Sequence, residues 1–145
     1  MTPRFLLIGL HLMLAFPILL AAQISDDKIP RTVAQYFHLN RLGPQLVSVD
    51  IFEHPQSGRV LKVTVLARRT QAVRDLVFTF SAAAAVANLA EEDIELLWVE
   101  MEIKFKELET TTALAPAACT MDAIINNRGV GNWWQDCLEF LWVQS

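Results

Sequence analysis

The chain has 145 residues, and its 12 lysines and arginines against 16 aspartates and glutamates give a net charge of −4. This length corresponds to one domain. The acidic balance, with no cluster of lysines or arginines, disfavours contact with phosphate backbones, so nucleic acid is not an expected partner.

Residues 1–22 have the pattern of a secretory signal peptide. Arg4 supplies the positive charge, and the apolar run that follows ends in the small residues Ala21 and Ala22. Cleavage after Ala22 would leave residues 23–145 as a single domain. Because Arg4 is the only charge removed, that domain has 11 basic and 16 acidic residues, a net charge of −5. A retained membrane anchor is the alternative, and membrane contact is expected only through this segment.

A helix over about residues 31–42 and then a β-hairpin are predicted for the start of the domain. Pro30 is tolerated in the first turn of a helix, and Gly43-Pro44 cannot continue one. Two runs of alternating apolar and polar residues follow, joined by a turn at residues 54–58, which is the pattern of paired strands. The apolar face of these strands consists of Val47, Val49 and Ile51 and of Leu61, Val63, Val65 and Ala67.

A second helix is predicted over residues 70–90. Thr70 is a plausible amino cap, and the alanines at residues 82–85 have high helix propensity. The apolar stripe that would lie on the sheet consists of Val73, Val77, Phe80, Ala84 and Ala87.

Residues 93–106 contain the clearest strand of the chain, because every second residue from Leu97 to Phe105 is apolar. Residues 107–115 favour a fourth strand, which Pro116 ends.

Two helices are predicted for the end of the chain, over residues 117–127 and 133–143. The stretch 126–129, Asn-Asn-Arg-Gly, is a helix stop, and Asn132 is a good cap for the last helix.

Together these elements predict an α+β fold. It is a two-layer sandwich with a mainly antiparallel sheet of three or four strands and the helices packed on one face. The order is α-β-β-α-β-(β)-α-α, in which the bracketed strand is that of residues 107–115.

The face of the sheet away from the helices is expected to hold three apolar side chains, Phe52, Leu66 and Trp98, among charged ones. Such a patch is typical of an interaction surface, so these three residues are the predicted contacts for a protein or a small apolar ligand. The alternative is that the first helix covers them through Tyr36 and Phe37.

Cys119 and Cys137 are the only cysteines. In an oxidising compartment an even pair indicates a disulfide bond, which would stabilise the fold by about 3 kcal/mol in the chain-entropy model. Two separate buried thiols are the alternative.

No catalytic or metal-binding constellation is recognisable, so neither a cofactor nor a metal is expected. His38 and His54 are the only histidines after the leader, too few for a zinc site. Glu100 and Glu102 share a strand face with Lys104, which indicates a solvated surface rather than an acid-base pair.

The end of the chain is rich in tryptophan, at Trp133, Trp134 and Trp142. Three roles are open for these residues: closing the core, lining a groove, or anchoring in a membrane interface. The last is disfavoured because the polar positions of this segment carry no cation.

The resulting hypothesis is an exported, non-catalytic binding or assembly module, secreted or periplasmic, or held to the membrane by residues 5–22 if they are retained. The alternative is a small enzyme with a pocket between the tryptophan-rich last helix and the sheet. A pocket with His38 or His54 beside a carboxylate or a free thiol would favour the enzyme.

Overall fold

A computed structural model describes residues 23–141, so the predicted leader and Trp142 lie outside the described residues. The helices are α1 (Ile29–Leu39), α2 (Ala72–Ala87), α3 (Ala117–Ile124) and α4 (Val130–Asp136). The strands are β1 (Gln45–His54), β2 (Gly58–Ala67), β3 (Leu96–Lys104), β4 (Leu108–Pro116) and β5 (Glu139–Leu141).

The strands form one sheet in the order β1-β2-β3-β4-β5. Neighbouring strands are antiparallel except β2 and β3, which are parallel and are joined through α2. A parallel pair needs a long crossover connection, and α2 provides it. The predicted α+β fold with a mainly antiparallel sheet is confirmed, and so is the fourth strand. The described sheet has five strands rather than three or four.

The helices cover one face of this sheet. Ala82, Ala83 and Ala84 of α2 are fully buried, because their small side chains let the helix lie close to the strands. One hydrophobic core joins all four helices to the covered face of the sheet. Its members include Ile29 and Val33 of α1, Phe80 of α2, Ala123 of α3 and Trp133 of α4, together with Leu61, Val63, Leu97 and Val99.

Strand β1 contains a bulge that sequence periodicity did not reveal. Its pairing with β2 shifts between Leu46 and Ser48. The bulge turns Val47 outward, with 48% of its surface exposed, while Leu46 packs against the core. The assignment of Val47 to the apolar face is therefore wrong, whereas Val49 and Ile51 contact the core as expected.

Four of the five residues of the predicted stripe of α2, from Val77 to Ala87, are buried or pack against the core. The first, Val73, is 63% exposed, so its assignment to the stripe is wrong, and Leu76 and Thr79 are buried in addition. The helix begins at Ala72, after a short 3-10 turn that contains Thr70, so Thr70 does not cap it.

A buried charge, Asp75, fixes the start of α2. Its Oδ2 accepts two hydrogen bonds from Arg68, one from the backbone N–H at 2.8 Å and one from the side-chain Nε–H at 3.2 Å. One guanidinium nitrogen of Arg68 donates both to Asp75 Oδ1, at 2.5 Å, and to the carbonyl of Leu42, at 2.8 Å. The hydrogen bond with Asp75 raises the pKa of Arg68, partly opposed by desolvation. The hydrogen bonds from Arg68 thus stabilise the buried carboxylate of Asp75, and they connect the loop after α1 to α2.

The predicted helix over residues 133–143 is wrong for residues 137–141, and its last two residues lie outside the described part of the chain. After Cys137 the chain becomes β5, in which Phe140 lies opposite Ala113 of β4. The large apolar residues of this segment suit a helix or a strand equally, and the outer edge of β4 offers backbone hydrogen bonds that decide the outcome.

The other helix ends differ from the prediction by a few residues. Helix α1 ends at Leu39, where the Asn40 side chain donates to the carbonyl of Tyr36 at 2.8 Å. Helix α3 ends before Asn127 and Gly129, which adopt positive φ values of 65° and 98°. Gly129 rather than Asn132 precedes α4.

Candidate functional site

A groove of about 460 Å³ opens between the start of α2, the β3–β4 end of the sheet and the segment from α4 to β5. We call it the apolar groove. It lies between the tryptophan-rich segment and the sheet, where the sequence placed the pocket of the alternative hypothesis. Its lining consists of Arg69, Ala72, Val73, Leu76, Met101, Ile103, Glu109, Thr111, Trp134 and Phe140.

The floor of the apolar groove is set by the register between β3 and β4. Met101 lies opposite Thr111, and Ile103 lies opposite Glu109. These four residues share the sheet face that the helices cover, because side chains directly opposite in a ladder point to the same side. Val73 of α2 forms part of one wall and remains 63% exposed, so the groove is open along this wall.

Aromatic contacts connect the opposite wall to the core. The rings of Trp134 and Phe140 are 5.6 Å apart, and those of Trp134 and Trp133 are 6.1 Å apart. Trp133 is fully buried, lies 5.1 Å from the ring of Phe80, and donates its indole N–H to Thr120 Oγ1 at 3.0 Å. Of the predicted tryptophan roles, core closure therefore applies to Trp133 and groove lining to Trp134.

The predicted disulfide bond is confirmed. Cys119 in α3 is bonded to Cys137, the residue after α4, with a Cα–Cα distance of 5.8 Å. The bond fastens the end of α4 to α3 shortly before the chain enters β5. It thereby holds the segment that carries both Trp134 and Phe140.

One rim of the apolar groove carries a cation. The guanidinium carbon of Arg69 lies 3.7 Å from the ring centroid of Phe105, in the connection between β3 and β4. Phe105 itself is 56% exposed. This stacking holds the Arg69 side chain over the β3–β4 end of the groove by a cation–π contact.

Two of the predicted contact residues meet on the uncovered sheet face. The rings of Phe52 and Trp98 are 6.2 Å apart. Phe52 is on β1 and Trp98 is on β3, so the two side chains meet across β2, the strand between them. Val60 of β2 is fully buried. Lys62 Nζ lies 5.4 Å from the Trp98 ring centroid and 3.0 Å from Glu100 Oε2. We call Phe52 and Trp98 the sheet-face pair.

Leu66 shares this face but lies apart from the sheet-face pair. The register places Leu66 opposite Glu102, whereas Trp98 lies opposite Lys62, four residues earlier on β2. That separation is about 13 Å along the strand. The three predicted residues therefore do not form one cluster.

Helix α1 does not cover the sheet-face pair, so that alternative is wrong. Tyr36 and Phe37 instead contact Phe78 of α2, with ring centroids 6.0 and 5.1 Å away, on the opposite side of the sheet. The indole N–H of Trp98 is buried and has no hydrogen-bond partner among the described residues.

The remaining polar candidates lie outside the apolar groove. His38 is exposed on α1, and His54 at the end of β1 accepts a hydrogen bond from the backbone N–H of Gln56 at 3.3 Å. Glu100 pairs with Lys62, as expected for a charge-balanced surface. Within residues 23–141, no group of three or more histidine, cysteine, aspartate or glutamate residues is arranged to hold a metal ion.

Sequence reasoning missed Arg69 and Val73 as groove residues. Val73 belonged to the predicted core stripe, but the first turn of α2 buries Asp75 and Leu76 and leaves Val73 63% exposed. Arg69 had no distinguishing signal, because its position depends on Phe105, far away in sequence.

Among the helices of residues 23–141, none has both the length and the apolar character needed to cross a membrane. No family model, curated protein or solved structure matches the chain. The function must therefore be argued from the geometry of the apolar groove and of the sheet-face pair.

Proposed function

We propose that this protein is an exported, non-catalytic binding module whose ligand occupies the apolar groove. The observation that carries the proposal is the groove itself. Its volume of about 460 Å³ falls within the range typical of small-molecule sites, and seven of its ten lining residues are apolar. Its polar side chains, Arg69, Glu109 and Thr111, are few and sit among apolar neighbours, as in sites that orient a ligand.

Export is supported by two independent features. The disulfide bond between Cys119 and Cys137 fits an extracellular or periplasmic protein, since such bonds persist in oxidising compartments. Residues 1–22 have the composition of a cleavable leader.

The alternative proposal, a small enzyme, would use the same groove. Its residues would have to include a nucleophile or a base held close to the substrate. Both sulfur atoms are bonded to each other, and His38 and His54 lie outside the groove lining. The carboxylate of the lining, Glu109, is exposed to solvent, whereas carboxylates that act in acid-base catalysis are tuned by an apolar enclosure. The lining thus favours binding over catalysis.

The proposal is tested with an uncharged, environment-sensitive fluorescent dye added to the full chain. We expect saturable binding with enhanced emission, because the dye leaves water for the apolar walls. The substitution Val73→Glu places a charge in the groove wall. We expect the affinity for the dye to fall at least about tenfold, equivalent to about 1.4 kcal/mol.

Val47→Glu is the matched control, since Val47 is also an exposed valine but lies on β1, outside the groove lining. We expect its dye affinity to equal that of the unchanged chain. Equal affinities in all three proteins would contradict the proposal.

A second candidate function is protein assembly through the sheet-face pair. It is favoured by the aromatic contact between Phe52 and Trp98, because both side chains remain partly exposed on the sheet face that the helices leave uncovered. Co-purification of partners from the source cells tests it. The double variant Phe52→Ser/Trp98→Ser is expected to lose a partner that Leu66→Ser retains, and identical partners in both variants would contradict this role.

A further inference from the structure

We propose that the ligand of the apolar groove is a single-chain amphiphile with an anionic head group, of the fatty-acid type. Its hydrocarbon tail lies in the groove and its head group is held at the rim by Arg69. This inference rests on the proposed function, because it specifies the ligand class of the same groove.

The first step concerns the hydrogen-bond donors of Arg69. Its guanidinium carbon lies 3.7 Å from the ring centroid of Phe105. An aromatic ring is not a conventional acceptor, and a guanidinium group has five N–H donors, so this contact leaves donors available for a ligand. No described carboxylate lies within ion-pair distance of Arg69, although Arg59, Arg68 and Arg128 each have at least one. Arg69 is therefore a positioned cation without an ion pair among the described residues.

The second step concerns the surroundings of this cation. A shallow depression of about 420 Å³ adjoins the apolar groove and shares Arg69, Ala72 and Val73 with it. Arg74 and the polar side chains of Thr70 and Gln71 complete this depression. Two arginines thus line the depression beside the groove in a chain whose net charge is −4. An anionic head group on this side of the groove is favoured by charge.

The opposing charge in the groove is Glu109. It lies on β4 opposite Ile103, at the sheet side of the groove, whereas Arg74 belongs to the helix side. Glu109 is exposed to solvent and is not within ion-pair distance of Arg69. Across the linings of the groove and of the adjoining depression, two arginines face this one glutamate, so charge still favours an anionic head group.

The third step concerns the tail. Leu76, Met101 and Ile103 offer flexible aliphatic contacts, and the rings of Trp134 and Phe140 form the far wall. Methionine and unbranched apolar surfaces adapt to irregular occupants, which suits a bent hydrocarbon chain. A carboxylate bound by arginine adds charge-assisted hydrogen bonds to this burial.

The test is competition against the neutral dye in the full chain, with three probes of equal chain length used below their micelle concentrations. These probes are dodecanoate, 1-dodecanol and dodecyltrimethylammonium. We expect dodecanoate to displace the dye at about one tenth of the concentration of 1-dodecanol, with the cation weakest. In Arg69→Gln the advantage of dodecanoate over 1-dodecanol should vanish, while 1-dodecanol competes as before.

Arg31→Gln is the matched control, because Arg31 is an exposed arginine on α1, outside the groove lining. It should leave the preference for dodecanoate intact. An unchanged preference in Arg69→Gln, equal competition by all three probes, or preference for the cation would overturn the inference while the groove remains a binding site. Failure of the neutral dye to bind would instead contradict the proposed function.

A further experiment distinguishes between an external ligand and the last residues of the chain as the occupant of the groove. The groove lining includes Phe140, and the chain continues four residues past Leu141. A variant ending at Leu141 should bind dodecanoate with the affinity of the full chain. Binding by the shortened chain alone would overturn the inference, because residues 142–145 would then be the occupant.

Discussion

At the scale of single residues, the clearest determinant is the carboxylate of Asp75. It is fully buried and accepts hydrogen bonds from both the backbone and the side chain of Arg68. A buried group of this kind is costly to leave without its partner. The interaction connects the end of β2 to the first turns of α2, whose residues Ala72, Val73 and Leu76 border the apolar groove.

Replacing Asp75 with alanine is expected to lower the free energy of unfolding by about 2 kcal/mol, because the change removes these hydrogen bonds and the ion pair with Arg68 from a fully buried position. Urea denaturation measures the effect as a lower midpoint at unchanged slope. Asp50→Ala is the control, since Asp50 is an exposed aspartate of β1. Equal midpoints for the two variants would show that Asp75 is not a structural anchor.

Trp133 and Trp134 are neighbours with different roles, and phenylalanine substitution separates them. Trp133→Phe removes the hydrogen bond to Thr120 and leaves a small void beside Phe80, so we expect a loss of about 2 kcal/mol in stability. Trp134→Phe changes the groove wall and should alter dye binding more than stability. The opposite pattern in denaturation and dye titration would contradict these assignments.

At the scale of elements, the sequence predicts those strands and helices whose apolar face follows from the spacing of their own apolar residues. Strand β3 alternates regularly, and its Leu97, Val99 and Met101 are buried as expected. Ile103 is only partly buried, and the predicted extension of the alternation to Phe105 is wrong, because the strand ends at Lys104 and Phe105 is 56% exposed. The bulge at Val47 could not be predicted, because it depends on the register with β2. Strand β5 depends on the free edge of β4, and the apolar groove draws its residues from distant parts of the chain. Only its tryptophan wall was foreseen.

The disulfide bond constrains the elements that carry the aromatic wall of the apolar groove, because it links α3 to the end of α4. Reduction, or replacement of both cysteines by alanine, is expected to destabilise the fold by about 3 kcal/mol, because the unfolded chain regains the freedom of the enclosed loop. Since the bond also fastens the approach to β5, dye affinity should fall as well. Thermal unfolding and dye titration with and without reductant test both effects, and unchanged dye affinity after reduction would show that the groove wall forms independently of the bond.

At the scale of the whole molecule, one guanidinium joins three separated segments. Arg59 on β2 is mostly buried and pairs with Asp26 before α1, Glu53 on β1 and Glu92 before β3. The Arg59–Glu53 and Arg59–Glu92 distances are 3.4 and 3.1 Å. Three carboxylates close to one cation would repel one another without it. This cluster therefore holds the start of the domain to one end of the sheet.

Arg59→Gln is expected to destabilise the fold by about 2 kcal/mol, because it removes a charge surrounded by carboxylates. Arg31→Gln serves again as an exposed control. Added salt should recover part of the loss, since the remaining carboxylates repel less when screened. Denaturation midpoints that are equal in the two variants at low salt would rule out this role for Arg59.

The bulge in β1 has a consequence for solubility. Within residues 23–141, β1 pairs only with β2, so one side of this ten-residue strand presents backbone groups to which a foreign strand can bond. An irregular edge with outward charges is a poor template for such pairing, and β1 combines the extra residue Val47 with exposed Asp50 and Glu53. We therefore expect the bulge to hinder aggregation through this edge, and deleting Val47 should create a straighter edge that promotes fibrous assembly.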